Sequence, residues 1–223
     1  MASDALRRRV WDLPTRVVHW LLVLLLGFSW WSAQTFHMDW HRWAGLAVLG
    51  LVLFRVLWGF VGTETSRFAQ FLKGPRGVWS YLRPAPGVPA AETIGHNPLG
   101  GWSVLAMLLL LATQVVSGLF AVDIDGIESG PLSYLVDFDN ARFASAAHET
   151  SFNLLLILVP LHIAAVLFYL VVKRRNLVGP MITGSETIAT DCPSARRVPL
   201  WRFVAAALTS VAVVSAVALE LRF

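Results

Sequence analysis

Long apolar runs alternate along this chain with short polar connections, and the length of the runs decides the class. Runs at 17–33, 41–61, 101–122, 147–172 and 199–219 are each close to the about 20 residues that a helix needs to cross a hydrocarbon core about 30 Å thick. They predict five membrane-spanning helices and an all-α polytopic membrane protein. Residues 1–16 read as a short basic entry. Residues 63–100, with KGPRG and RPAPGVP, read as a surface loop holding a short helix around 78–82. Residues 123–146 form an acidic connection long enough for a small cap, and a second polar loop follows the fourth span. Pro160 lacks a backbone donor, so it is expected to loosen the fourth helix just before His162.

Composition agrees with this reading: 56% of residues are hydrophobic, 14% are charged, and mean hydropathy is +0.62. A formal charge of +4 and a pI near 9.8 would suit a nucleic-acid binder, but the basic residues sit at the ends of apolar runs, where topology explains them. Arg7, Arg8, Arg9 and Arg16 precede the first span, Arg67, Lys73, Arg76 and Arg83 follow the second, and Lys173, Arg174, Arg175, Arg196 and Arg197 follow the fourth. The other side carries Asp39, Asp123, Asp125, Glu128, Asp137 and Asp139 against Arg42 and Arg142. By the positive-inside rule the amino terminus is cytoplasmic and, with five spans, the carboxyl terminus is periplasmic. No convincing cleavage site follows the first run, which is expected to be retained as a helix. A single cysteine, Cys192, leaves this chain no internal disulfide and no cysteine-ligated cluster of its own.

The candidate chemistry lies in histidines. His148 and His162 are fourteen positions apart, about 3.9 helical turns, so they share one face of the fourth span with a rise of about 21 Å between them. Two imidazoles stacked at membrane depth are costly unless something occupies their ring nitrogens. The predicted topology puts His41 at the depth of His148, on the outer side, and His19 at the depth of His162, towards the cytoplasm. His37, one turn before His41, is its rival, but falls in the turn between spans. Two histidines per site on helical faces leave a planar macrocycle as the natural filler. Without C-x-x-C-H for thioether attachment, that macrocycle is haem b, and two axial protein ligands point to electron transfer.

Several segments carry a family likeness: RVWDLPTRVVHW at the start, the H-x3-G of His41 and Gly45, FRVLWGF around Arg55, GHNPLGGW before the third span, and the paired histidines of the fourth. Over roughly residues 8–180 the chain resembles the bacterial cytochrome b561 and nickel-hydrogenase cytochrome b family. The resemblance implies a four-helix haem-binding bundle in residues 1–180, with 181–223 adding a cytoplasmic linker and a fifth transmembrane helix. It implies two haem b groups on His19, His41, His148 and His162. It also implies electron transfer in the bacterial inner membrane between quinone and an outer-side redox protein, such as a cytochrome c or a hydrogenase or dehydrogenase subunit.

Arg16, one turn before His19, and Arg55, at the cytoplasmic end of the second span, are candidate partners for haem propionates, with snorkelling to the interface as the alternative. Gly45 and Gly118 are candidate points of close approach for a flat porphyrin, or ordinary small residues at helix contacts. Trp20, Trp30, Trp31, Trp43 and Trp58 read mostly as an interfacial belt, and His96 as a solvated or capping residue ahead of a role near quinone. The alternative functions are a superoxide:quinone oxidoreductase working at the outer haem, which the acidic outer loop disfavours, and a haem-free transporter or assembly subunit.

Overall fold

The structure, a computed structural model, describes residues 6–83, 95–188 and 198–220. Cys192, Arg196, Arg197 and the stretch 84–89 of the proline-rich loop lie outside the described residues. Among the described residues five helices are long and apolar enough to cross a membrane: α1 (Leu13–Gln34), α2 (Met38–Val61), α5 (Pro98–Phe120), α6 (Phe138–Val171) and α8 (Leu200–Ala218). Short helices α3 (Phe68–Phe71), α4 (Pro75–Leu82) and α7 (Val178–Thr183) sit in the connections. Of these, α4 covers the short helix expected around 78–82.

Local chemistry sets the helix starts. Asp12 accepts a hydrogen bond from the Thr15 amide at 2.7 Å and Pro14 follows in the first turn of α1. Asn97 accepts from the Gly100 amide at 2.7 Å ahead of α5, with Pro98 in its first turn. Asp137 accepts from the Asn140 amide at 2.8 Å and begins α6 within the connection that the apolar pattern had left irregular. Hydropathy marks where a helix enters lipid, whereas this cap and the alanine-rich stretch after it decide where the helix begins. At 34 residues α6 is about 51 Å long and reaches beyond the hydrocarbon at its acidic end. It also runs unbroken through Pro160, which removes only one backbone donor.

α1 packs on α2 and α5 on α6, while α2 also touches α5 and α8. Half of the most apolar window of α2 is buried, against 6% of that of α6, so α2 is the central post and α6 is largely lipid-facing. Val48, Val52, Leu111, Val115 and Leu155 form one apolar cluster joining α2, α5 and α6. Val18, Phe54, Trp58 and Ala206 form another joining α1, α2 and α8. Trp58 is therefore interior and does not belong to the interfacial belt.

The polar pattern did not reveal a two-stranded antiparallel sheet at the basic end, β1 (Leu6–Arg9) paired with β2 (Ser185–Ile188), with Arg9 opposite Ser185. Arg175 grips Glu186 of β2 through two hydrogen bonds of 2.9 and 3.1 Å, holding the sheet beneath the end of α6.

Candidate functional site

At the acidic end of the bundle the rings of His41 on α2 and His148 on α6 meet, with centroids 6.0 Å apart and planes at 80°. Each ring is oriented through Nδ1. His41 Nδ1 lies 2.9 Å from the Ser29 carbonyl and 3.0 Å from its hydroxyl, and His148 Nδ1 lies 2.8 Å from the Gln114 carbonyl. An Nδ1–H donated to a carbonyl leaves Nε2 as the lone-pair nitrogen, the tautomer that a metal ligand requires. Two nitrogens each about 2 Å from a shared ion would hold their rings at about this spacing. The Gln114 side chain also reaches the pair: its amide nitrogen is 2.8 Å from His148 Nε2, and its carbonyl oxygen accepts from Ser151. Gln114 must swing aside for a ligand to take that nitrogen.

Gly118 faces this pair across α5. A Cβ built on it would lie 2.9 Å from Cε1 and 3.0 Å from Nδ1 of His148, so the imidazole packs into the space that Gly118 leaves. Gly45, one turn after His41, has no heavy atom within 4 Å of such a Cβ, which leaves an open face beside the ring. His37 stacks on Trp40 at 4.9 Å and Trp31 at 5.9 Å and bonds Thr35, so of the two neighbours on this turn it is His41 that meets His148.

Towards the basic end, His19 on α1 and His162 on α6 are near enough to interact electrostatically, and His162 is felt at His96 as well. His19 Nδ1 is buried with no hydrogen-bond partner among the described residues, a cost that a bound group would offset. His96 is not a solvated loop residue. Its ring packs at 4.6 Å from Trp11 and 4.7 Å from Phe71, and its Nδ1 is also buried without a partner among the described residues. Burial first, then the charges of Arg55 and His162, push its imidazole down to about 3, so it is neutral at physiological pH.

The two candidate arginines differ. Arg16 donates through Nη1 to the Ile182 carbonyl and keeps a buried, unpartnered Nε. Arg55 is 6% exposed, so it does not snorkel; it donates to the Ser66 carbonyl at 3.3 Å and feels the negative charge of Asp12. Asp12 is the centre of a network that spacing could not reveal. Besides capping α1 it accepts from Trp58 Nε1 at 3.0 Å, Ser66 Oγ at 2.8 Å and Thr63 Oγ1. Burial opposes its ionisation, but the hydrogen bonds from Thr63, Thr15 and Trp58 outweigh burial and hold its carboxyl below the usual range. WDLP at the start of α1 and WGFVGTETS at the end of α2 are thus two halves of one polar knot, fixing the depth of His19 two turns further on.

A second missed group joins α4, α5 and α6. The Tyr169 hydroxyl, seven residues after His162, lies 2.7 Å from that of Tyr81 and accepts from Asn97 Nδ2 at 2.7 Å. Lone tyrosines and an asparagine far apart in the chain leave no local signal of this.

Among the described residues no group of three or more His, Cys, Asp or Glu gathers as a metal site. Pairs of histidines are what remains, and a pair suits an ion whose other positions come from a ring. No curated protein and no solved structure matches the chain. The family described as prokaryotic cytochrome b561 matches residues 10–184, from the Asp12 knot through all four candidate ligand histidines to the turn beyond α7. The chain thus belongs to the prokaryotic cytochrome b561 family, multi-pass membrane proteins that carry electrons through the bilayer by b-type haem.

Proposed function

We propose that this chain conducts electrons across the bacterial inner membrane through two bis-histidine haems b, between an outer-side redox protein and the quinone pool. The observation that carries this reading is the meeting of His41 and His148 at one end of α6, with His162 on the same helix about 21 Å further along and near His19. Bound haem would supply one-electron chemistry, held by His41 with His148 and by His19 with His162. The chain's part is to hold the rings. Ser29 and Gln114 orient His41 and His148, and Gly118 gives His148 its room. Gly45 leaves an open face for the macrocycle, and Arg16 and Arg55 are the cations for propionates at the basic end.

The count of basic residues makes the Asp12 end cytoplasmic and the acidic end periplasmic. A quinone site at the cytoplasmic end is supported by the buried, unpartnered Nδ1 of His96 beside Trp11 and Phe71. At the other end Asp39, Asp123, Asp125 and Glu128 would repel a superoxide anion, which favours a protein donor or acceptor over the oxidase alternative. The test is the purified protein. Two haems b per chain with a split reduced α-band, reducible by quinol in proteoliposomes, are expected. One haem or none overturns the reading.

A further inference from the structure

The loop between α5 and α6 is a hairpin. Val122 and Ser129 form an antiparallel bridge, the Asp123 amide bonds the Glu128 carbonyl at 3.0 Å, and Gly126 turns the tip at φ +72°. Its base is fastened to both helices that carry the acidic-end histidines. On α2, Arg42, the residue after His41, donates to the Ser129 carbonyl at 3.1 Å and pairs with Glu128. On α6, Ser145, one turn before His148, donates to the Val122 carbonyl at 2.6 Å and accepts from the Val122 amide at 2.9 Å, while Arg142 donates to the same carbonyl at 2.7 Å. Gly130 lies so close to α5 that a Cβ there would come within 2.5 Å of the Leu119 carbonyl oxygen. The hairpin is therefore held in fixed register to the His41–His148 pair.

Its tip is not covered by any of the described residues. Ile124 and Ile127 are 76% and 78% exposed, on either side of the exposed Asp125 and Gly126, with the half-buried Asp123 and the Arg42-paired Glu128 flanking them. Two branched apolar side chains held out on a rigid turn and ringed by carboxylates have the make-up of an interface core with a charged rim. We propose that this tip is the docking point for a basic, water-soluble one-electron carrier, whose apolar patch covers Ile124 and Ile127 and whose cations face Asp125 within the negative field that Asp123 adds to. The charge pattern selects this occupant. Carboxylates beside the isoleucines disfavour entry into an anionic lipid surface, and a second copy of the chain would bring the same acidic face against this one. The inference rests on the electron-conduit reading above. One electron crosses per encounter, the carrier and the site at His41 and His148 changing oxidation state by one in opposite senses, with no bond made or broken.

The experiment uses the full haem-loaded chain in nanodiscs, with a basic soluble cytochrome c as the probe, and measures both probe binding and electron exchange against ionic strength. Ile124→Ser with Ile127→Ser should weaken binding and slow exchange about tenfold, with the haem spectrum unchanged. Asp123→Asn with Asp125→Asn should slow association and flatten its salt dependence. Unchanged binding in both double variants would overturn the proposal. So would quenching of Ile127→Trp fluorescence by brominated lipid, which would put the tip in the bilayer. Binding is read without reference to haem, so a chain lacking the split spectrum sinks the conduit reading alone, whereas substitutions without effect on binding sink the docking site.

Discussion

Gly118→Ala tests the proposed ligand role of His148 with one methyl group. The new Cβ would sit 2.9 Å from His148 Cε1 and 3.0 Å from Nδ1, whereas unstrained carbon contacts begin near about 3.5 Å, so the ring must withdraw by about 0.6 Å. It cannot withdraw freely, because Nδ1 is held 2.8 Å from the Gln114 carbonyl on the same helix as Gly118. Either that hydrogen bond breaks or the ring turns out of its present contact with His41. Overpacking of this kind costs about 1–3 kcal/mol. Losing the group that orients a metal-bound histidine costs about 10–100-fold in affinity, about 1.4–2.7 kcal/mol, so the two routes to a magnitude agree. The expected result is selective: the acidic-end haem is lost or weakly held and the basic-end haem stays. Haem per chain, measured as the pyridine haemochrome, should fall from two towards one, and a redox titration should lose one of its two components. A Gly118→Ala protein with both haems and unchanged potentials would show that His148 does not lie against Gly118, and with it the assignment of that ring would fail.

The other expectations concern the pairing, the knot and the tyrosines. His41→Ala and His148→Ala should each remove the same haem and spare the other, and His19→Ala and His162→Ala should remove the second; spectra of the four purified variants decide this, and removal of different haems by members of a pair refutes the pairing. Asp12 has a lowered folded-state pKa, so its contribution is fully present above the unfolded carboxylate value of about 3.9 and is lost as pH falls through the folded value. Thermal unfolding followed from pH 7 downwards should show that acid loss, and Asp12→Asn should be less stable at pH 7 with a flatter acid limb; hydrogen bonds to a charged group of this kind are worth about 1.5–3 kcal/mol each. Burial, then the hydrogen bond to Tyr169 and its charge, push the Tyr81 hydroxyl up to about 12. In Tyr169→Phe the phenolate of Tyr81 should appear at lower pH in an ultraviolet titration, and no change would remove Tyr169 as its partner.

What could be read from the sequence and what could not divide along the range of the interactions. His148 and His162 stand out because fourteen residues on one helix make a geometric statement that needs no other part of the chain. Span lengths stand out because lipid imposes them. The start of α6 at Phe138 was invisible to hydropathy, since its cap is a carboxylate outside the lipid, although D-F-D-N is readable as a cap once the alanines after it are counted as helix. Asp12, Trp58, Thr63 and Ser66 were out of reach for a different reason: Trp58 has the look of a belt residue and Asp12 of a plain cap, and only the antiparallel return of α2 past α1 brings them within 3.0 Å. Such a knot costs more to leave half-satisfied than to omit, because a buried carboxylate deprived of a donor keeps its full desolvation penalty. That asymmetry ties the family likeness in WDLP to the one in WGF. A change to either half strands the other, and it does so two turns from His19, whose depth in the membrane the proposed electron path requires.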